Sequence, residues 1–447
     1  MKKVAFHNLG CKVNSYELDG ISQMFQKRGY EIVEFAQKAD VYIVNTCTVT
    51  NIADHKSRKM LSRARAQNPD AVVVAAGCYV QSDPEKALQN ENIDIAVGNN
   101  RKSEIVDIVE KYFEDHKKKA AVSELDDKCG YEELFVSHTS GHTRAFMKIQ
   151  DGCNQFCSYC AIPLVRGRVR SRKIEDIASE AARLAAGGYK EIVVTGIHIS
   201  SYGIDGPYNT FAKEGRTNTA LLEAVETIAK TKGIERVRLS SLEPRLITKE
   251  FIERLASIKE FCPHFHLSLQ SGCDSVLTRM NRHYRTAEFE EKVALIREHF
   301  VHPAITTDII VGFPGETEEE FAVTRDFLDR VNLYECHVFK YSRRKGTVAD
   351  RMEGQLTDAV KSQRSALLIA DSNRRRSDFM AEYIGKTVTV LTEDTEDVDG
   401  VTMTVGYTPE YVKVSMPETQ CGQIREILCF ERRFDTIIGS FATHDNG

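Results

Sequence analysis

Val4-Ala5-Phe6-His7-Asn8-Leu9-Gly10-Cys11 is a short apolar run that stops at a glycine and a cysteine. The pattern returns at Val41-Tyr42-Ile43-Val44-Asn45-Thr46-Cys47 and at Val72-Val73-Val74-Ala75-Ala76-Gly77-Cys78. Each run reads as a buried strand. Tyr16 to Arg28 and Ala53 to Gln67, which lie between the runs, have helical spacing and charged faces. Such βαβ alternation gives a parallel sheet covered by helices. Ligands of open parallel sheets bind outside the carboxyl ends of the strands. Three thiols spaced 36 and 31 residues apart in the chain therefore converge at one edge. The glycines before Cys11 and Cys78 allow close backbone approach. One buried cysteine is an ordinary packing residue, but three at the same point of consecutive units argue for a cluster site.

A second group of cysteines is compact. In Asp151-Gly152-Cys153-Asn154-Gln155-Phe156-Cys157-Ser158-Tyr159-Cys160 the spacing is C-x3-C-x2-C, and no fourth cysteine follows closely. Structural zinc takes four protein ligands, whereas catalytic centres keep a position open. Thiolates favour iron–sulfur clusters, zinc or copper(I), and a cubane on three thiolates leaves one iron for an exogenous ligand. Spacing alone leaves an open cluster, a zinc site completed elsewhere and a structural loop all standing.

Downstream, the alternation resumes in longer units from Arg144 to Ser372. Strand-like runs occur at Glu191–Gly196, Arg236 to Ser240, His264 to Leu269 and Thr306 to Gly312, separated by amphipathic helices such as Ile174–Ala186. Repeated β/α units of this size indicate a full or partial barrel, with chemistry at the carboxyl ends of its strands. Lys117 to Thr143, lysine-rich and polar, reads as a linker. After a basic helix ending in Asn373-Arg374-Arg375-Arg376, period-two runs at 386–391, 402–405 and 411–414 read as a small antiparallel, barrel- or OB-like module.

The chain has 447 residues, room for about three domains, with ordinary globular composition. No segment reaches the ~20 apolar residues of a membrane span, and the N-terminus lacks a secretory pattern. Twelve cysteines are too sparse for a disulfide scaffold and suggest reduced thiols in a cytoplasmic protein. A net charge of −5 gives no global basic footprint, so any nucleic-acid binding must come from local patches. Cys129, Cys262, Cys273, Cys336, Cys421 and Cys429 have no motif spacing and read as packing residues.

These motifs resemble those of the radical S-adenosylmethionine methylthiotransferases, and the resemblance spans essentially the whole chain. Cys153, Cys157, Tyr159 and Cys160 match the family's C-x3-C-x-aromatic-C, and Cys11, Cys47 and Cys78 match its dispersed N-terminal triad. Ala161-Ile162-Pro163 and Arg166-Gly167-Arg168-Val169-Arg170-Ser171-Arg172 also match, as does the terminal module, a TRAM domain that binds RNA in this family. The fold class so implied is α/β: an N-terminal parallel-sheet α/β domain over residues 1–115, a radical-SAM partial (β/α) barrel over 140–370, and a small C-terminal antiparallel β-barrel over 373–441. The implied cofactors are two 4Fe-4S clusters, one per cysteine triad, and S-adenosyl-L-methionine. The open iron of the barrel cluster would chelate S-adenosylmethionine and break its sulfonium bond reductively. The resulting 5′-deoxyadenosyl radical takes hydrogen from the substrate, and the second cluster supplies or carries the sulfur.

Further cofactor contacts implied by the resemblance are Tyr159 on the adenine, Thr195 and Gly196 at a strand end, Gln270, and Gly312 in the Gly312-Phe313-Pro314-Gly315-Glu316 turn. Branches of the family act on isopentenyladenosine in tRNA, threonylcarbamoyladenosine in tRNA, or an aspartate of a ribosomal protein. Gly10 to Glu17 and Leu239-Ser240-Ser241-Leu242-Glu243-Pro244 look most like the threonylcarbamoyladenosine branch, with Lys12 and Ser240 to Glu243 as the discriminating residues. That base carries a carboxylate and suits cationic contacts. The partners implied are the tRNA anticodon stem-loop and a one-electron reductant such as a flavodoxin or ferredoxin. Arg166, Arg168, Arg170 and Arg172, then Arg374, Arg375 and Arg376, then Arg432 and Arg433 are the expected phosphate contacts. The competing class is an RNA-binding protein with structural or redox-sensing clusters and no catalysis.

Overall fold

The computed structural model describes residues 1–126, 129–139, 141, 143–205 and 218–442. Its first layer is a six-stranded parallel sheet ordered Glu31–Val33, Lys3–Asn8, Val41–Thr46, Val72–Gly77, Ile95–Val97, Lys119–Ala121. The central strands Val41–Thr46 and Val72–Gly77 are buried at every residue, which is why they read as continuous apolar runs. Helices Lys12–Lys27 and Ile105–Asp115 cover one face with Ile21, Phe25, Ile105 and Val109, and Leu61 and Ala64 of Asn51–Gln67 cover the other. The pairing sets Asn8 opposite Asn45 and Thr46 opposite Gly77, so three strands end at one level.

The stretch from Lys117 to Thr143 departs from the linker reading. Lys119–Ala121 extends the sheet as its edge strand, and Leu134 and Val136 are buried against Tyr16 and Phe146. Lysine on an edge strand discourages pairing with other chains, and that same lysine content disguised the strand.

The second unit is a partial barrel. Parallel strands Ala145–Asp151, Glu191–Gly196 and Arg236–Leu239 form one sheet, with Arg170–Ser171 antiparallel at its edge. His264–His266, Ala304–Val311 and Glu335–Lys340 form the next, joined to the first by the bridges Val237↔Phe261 and Leu242↔Leu267. Ala145–Asp151 is buried throughout. The outer helices include Ile174–Ala186, Thr219–Ala229 and Glu318–Val331, the last opened by a capping box between Thr317 and Glu320.

Helix Asp358–Ala381 leads into a closed five-stranded barrel ordered Thr387–Val398, Val401–Tyr407, Lys413–Met416, Thr436–Phe441, Ile424–Arg433. All its pairings are antiparallel except Lys413–Met416 with Thr436–Phe441, which is parallel. Closure removes the exposed edges a small sheet would otherwise carry. Among the described residues, no helix is long and apolar enough to cross a membrane.

Candidate metal and cofactor site

At the end of the N-terminal sheet, Cys11 caps helix Lys12–Lys27 and Cys78 opens helix Cys78–Ser82. The backbone is tight here. Gly10 has φ +118°, and a Cβ on it would lie 3.0 Å from the Cys47 Cβ. Gly77 has φ +98°, and its Cβ would lie 2.8 Å from Asn45 Oδ1. Only glycine takes such angles without strain. Asn14 knits the strand ends together by donating to the carbonyls of Leu9 (2.7 Å) and Thr46 (3.1 Å). Asn99 Nδ2 donates to the Cys78 sulfur at 3.5 Å. Burial pushes the Cys47 thiol up to about 11, and the charges of Cys78 and Cys11 act in the same direction. Cys11 is the solvent-open member, yet protein surrounds its thiol closely enough that burial is again the largest cause of its raised pKa. The three thiols thus share one electrostatic neighbourhood.

The compact triad sits on the loop leaving strand Ala145–Asp151. Gly152 has φ +70°, and a Cβ there would fall 1.8 Å from the Arg168 carbonyl oxygen. The Cys153 N–H donates to Gly167 O at 3.0 Å. Ser158 donates through its N–H to Met280 O (3.0 Å) and through its hydroxyl to Arg279 O (2.8 Å), and Asn281 donates to Phe156 O (3.0 Å). The Arg282 guanidinium donates to the Cys157 sulfur (3.1 Å) and to Glu243 (2.7 Å). Burial pushes the Cys153 thiol to about 11 and the Cys160 thiol to about 12, with Cys157 contributing to both.

Among the described residues, no three His, Cys, Asp or Glu side chains are close enough to share a single metal ion. A cubane is wider, because each thiolate binds its own corner iron and the ligands surround a void. Two all-thiol triads, each without a fourth ligand, fit such clusters and do not fit closed zinc. Cys160 faces a cavity of about 280 Å³ lined by Tyr159, Gln270, Asp308, Ile310 and Thr48. Thr48 follows Cys47, so this cavity lies between the compact loop and the loop bearing a member of the dispersed triad.

Of the other expected cofactor residues, Tyr159 and Gln270 reach this cavity. The Tyr159 ring meets Phe313 edge-on at 6.4 Å. Gln270 has φ +72°, held by bonds from its N–H to Asp308 O and from the Ile310 N–H to its own carbonyl. Thr195, Gly196 and Gly312 do not line the cavity. Thr195 is buried, Gly196 lies against Gln150 and Ile199, and the Gly312 N–H donates to Glu316 at 2.7 Å.

The structure overturns four of the nine expected RNA contacts. Arg166, Arg170 and Arg172 are buried and committed internally. Arg166 donates to Glu17 (2.6 Å), Asp151 (3.2 Å) and Asn14 (2.7 Å). Arg172 pairs with Glu133 and Glu180 at 2.8 and 2.9 Å, and Arg170 donates to the Arg166 carbonyl. Arg375 is also buried, on Asp329, while Arg374 shares Asp329 and Arg376 takes Glu335. Buried charges need partners of this kind, so an arginine run marks an internal network as readily as a solvated face. Arg168 and Arg432 remain exposed, and half-buried Arg433 pairs with Asp399 and Glu431. Glu243, one of the residues expected to discriminate substrates, holds Arg282 and lies 3.6 Å from His198.

The feature that sequence reasoning missed is the carboxylate Glu17. It takes Lys102, Lys148 (3.0 Å) and Arg166 from three directions, joining the N-terminal helix to the barrel. Burial opposes its ionisation, but Arg166, Lys102 and Lys148 outweigh burial and hold the carboxyl well below its usual range. Its signal was present, since a glutamate shares the buried helix face of Val13, Tyr16, Gly20 and Ile21.

A partial barrel with an open three-thiol loop at the carboxyl end of its first strand defines a radical S-adenosylmethionine protein. Residues 147–328 match the Radical SAM superfamily, and residues 3–98 match the uncharacterized protein family UPF0004. Among solved structures, the radical S-adenosylmethionine methyltransferase TsrM from Kitasatospora setae shares the fold, with TM-score 0.57 and 14% identity over 78% of this chain and 74% of that one. The threonylcarbamoyladenosine tRNA methylthiotransferase MtaB of Bacillus subtilis is 42% identical over 94% of this chain and 91% of its own length. The MtaB of Aquifex aeolicus is 40% identical over 87% and 92%. A tRNA-2-methylthio-N(6)-dimethylallyladenosine synthase of Pelotomaculum thermopropionicum is 34% identical over 89% and 88%. The chain belongs to the radical S-adenosylmethionine methylthiotransferase family. It is an enzyme that transfers a methylthio group, and its cofactors are 4Fe-4S clusters and S-adenosylmethionine.

Proposed function

We propose that this enzyme converts N(6)-threonylcarbamoyladenosine, at the position 3′ of the anticodon in tRNA, to its 2-methylthio derivative. The observation that carries the reading is the cavity lined by Cys160 of the compact triad and by Thr48, Val49 and Thr50, the residues that follow Cys47 of the dispersed one. The similarity to enzymes named for this substrate, at 42 and 40% identity, favours it over the dimethylallyladenosine branch at 34%.

Cys153, Cys157 and Cys160 hold one cluster and Cys11, Cys47 and Cys78 the other. When bound, these groups and S-adenosylmethionine supply homolytic C–H activation and a source of sulfur. The chain positions and shields them. Tyr159 and Gln270 line the cofactor side of the cavity, while Thr195, Gly196 and Gly312 shape the strand ends behind it. Lys12, beside Cys11, forms no ion pair among the described residues and feels the charges of Arg144 and Arg238. Lys12 suits the carboxylate of the modified base, whereas Arg144 and Arg238 are already paired with Glu393 and Glu191. On the terminal barrel, exposed Phe430, Phe434 and Arg432 offer stacking and phosphate contacts to the anticodon stem-loop. A one-electron carrier supplies reducing equivalents, and the setting is cytoplasmic.

Mass spectrometry of tRNA nucleosides from cells lacking the protein tests the substrate. The 2-methylthio form should vanish while unmodified threonylcarbamoyladenosine accumulates. Loss of 2-methylthio-isopentenyladenosine instead would reassign the branch.

A further inference from the structure

The cysteine loop has a second opening. A cavity of about 230 Å³ is lined by Phe156, Cys157, Cys160, Leu164, Arg168 and Val348, among others. It shares Cys160 with the substrate cavity and no other lining residue. Its rim is apolar and exposed, with Phe156 at 45%, Leu164 at 56% and Val348 at 55% of full accessibility. The Arg168 guanidinium stands 4.5 Å over the Phe156 ring. Folding gives no reason to leave three large apolar side chains in water around two metal-binding thiols.

Exposed cations lie near this rim in the chain. Exposed Lys345 and Arg351 flank Val348 in the chain, and neither has an ion-pair partner among the described residues. Next to it, a surface cavity of about 450 Å³ is lined by Arg245, Arg282, His283, Tyr284, Arg285 and Glu288. Arg245 and Arg285 are exposed and likewise unpaired. Buried Arg282, which lines this second cavity, bonds the Cys157 sulfur of the first, and Asn281 bonds Phe156 O. The chain as a whole carries −5, so an acidic partner is repelled unless a local patch steers it in.

We propose that this face docks an acidic one-electron carrier protein, with Phe156, Leu164 and Val348 as the apolar centre and Arg245, Arg285, Lys345 and Arg351 as the steering rim. The inference rests on the assignment of Cys153, Cys157 and Cys160 to a reducible cluster. The carrier gives up one electron and the oxidised cluster gains it, and no bond or proton changes place. A small apolar centre with a charged rim suits a transient redox encounter. The two cavities share only Cys160 among their lining residues, so the carrier and the substrate use separate linings.

The test uses the full-length holoenzyme, reduced either by a flavodoxin or by dithionite, with 5′-deoxyadenosine formation as one readout. Calorimetric binding of the flavodoxin and of tRNA is the other. For Arg245→Glu with Arg285→Glu, and separately for Lys345→Glu with Arg351→Glu, flavodoxin-driven cleavage should fall about tenfold or more. Flavodoxin affinity should weaken in parallel and lose salt dependence, while dithionite-driven cleavage stays within about twofold. Unchanged flavodoxin binding in both pairs overturns the proposal. Weakened tRNA binding with intact flavodoxin binding also overturns it and makes the face an RNA surface. Failure of dithionite to yield 5′-deoxyadenosine in the parent protein sinks the cluster assignment, and this proposal with it.

Discussion

The two cysteine triads solve one problem in opposite ways. Cys153, Cys157 and Cys160 are neighbours in sequence, yet their loop has no regular structure of its own. It is held from outside by Met280, Arg279, Asn281 and Gly167, with Ala349 donating to the Ser158 carbonyl at 2.8 Å. Cys11, Cys47 and Cys78 are far apart in sequence, and the register of three parallel strands delivers them to one level. Sequence proximity thus transfers the cost of precision to the surroundings, whereas a sheet supplies it through main-chain pairing.

The largest effects come from removing thiols. Replacing Cys153, Cys157 and Cys160 together by alanine should abolish 5′-deoxyadenosine formation and remove about half of the bound iron. Replacing Cys11, Cys47 and Cys78 should remove the other half, spare some cofactor cleavage and stop methylthio transfer. Iron analysis with product chromatography checks both. Full methylthiolation by the second variant would erase the distinction between the triads.

The next effect concerns what couples the two sites. Glu17→Gln leaves Arg166, Lys102 and Lys148 around a neutral amide. Breaking a buried charge network from one side costs about 3–5 kcal/mol. Thermal unfolding of the cluster-free protein should show this at neutral pH. Because the Glu17 carboxyl is held low in the folded state, its contribution is present above an unfolded value of about 4.3 and is lost as pH falls below that. The gap between parent and variant should therefore narrow on acidification. A constant gap would mean that the glutamate acts by packing alone.

Legibility in the sequence followed the same division. The dispersed triad was readable because Gly10-Cys11, Thr46-Cys47 and Gly77-Cys78 each end an apolar run, and topology converts that position into proximity. The compact triad was readable as a motif, but its supports were not. Arg282 and Asn281 follow it by more than a hundred residues, and nothing local ties them to Cys157 or Phe156. The arginines after the loop misled because alternating charge looks the same whether its partners are phosphates or the buried carboxylates Glu17, Asp151 and Glu180. The edge strand Lys119–Ala121 was hidden for a related reason, since lysine suits both an edge and a linker.

A smaller effect separates the glycines of the two sites from ordinary turn glycines. Gly152→Ala drives a Cβ into the Arg168 carbonyl, whereas Gly29→Ala, at φ +82°, meets nothing within 4 Å. Both pay left-handed strain, but only the first must displace backbone, adding about 1–3 kcal/mol. Differential scanning calorimetry should show the larger loss for Gly152→Ala, with iron lost from the compact triad. Equal losses would mean that the loop yields freely.

The smallest expected effect reaches the compact loop at two removes. Glu320 accepts from Arg279 at 2.6 and 2.9 Å and from Ser275, and it completes the capping box through the Thr317 N–H at 3.1 Å. Arg279 in turn offers its carbonyl to the Ser158 hydroxyl between Cys157 and Cys160. Bonding to Arg279 is the main reason the Glu320 carboxyl is lowered to about 2. Its stabilisation is complete above an unfolded value of about 4.3 and disappears as pH falls through about 2. Glu320→Gln should cost about 1 kcal/mol at neutral pH, the scale of a lost cap. If the compact triad depends on outside support, the variant should release its iron to a chelator faster while the dispersed triad releases at the parent rate. Equal acceleration at both sites would show that Glu320 stabilises the barrel as a whole, and that the loop is less dependent on its neighbours than its bonding implies.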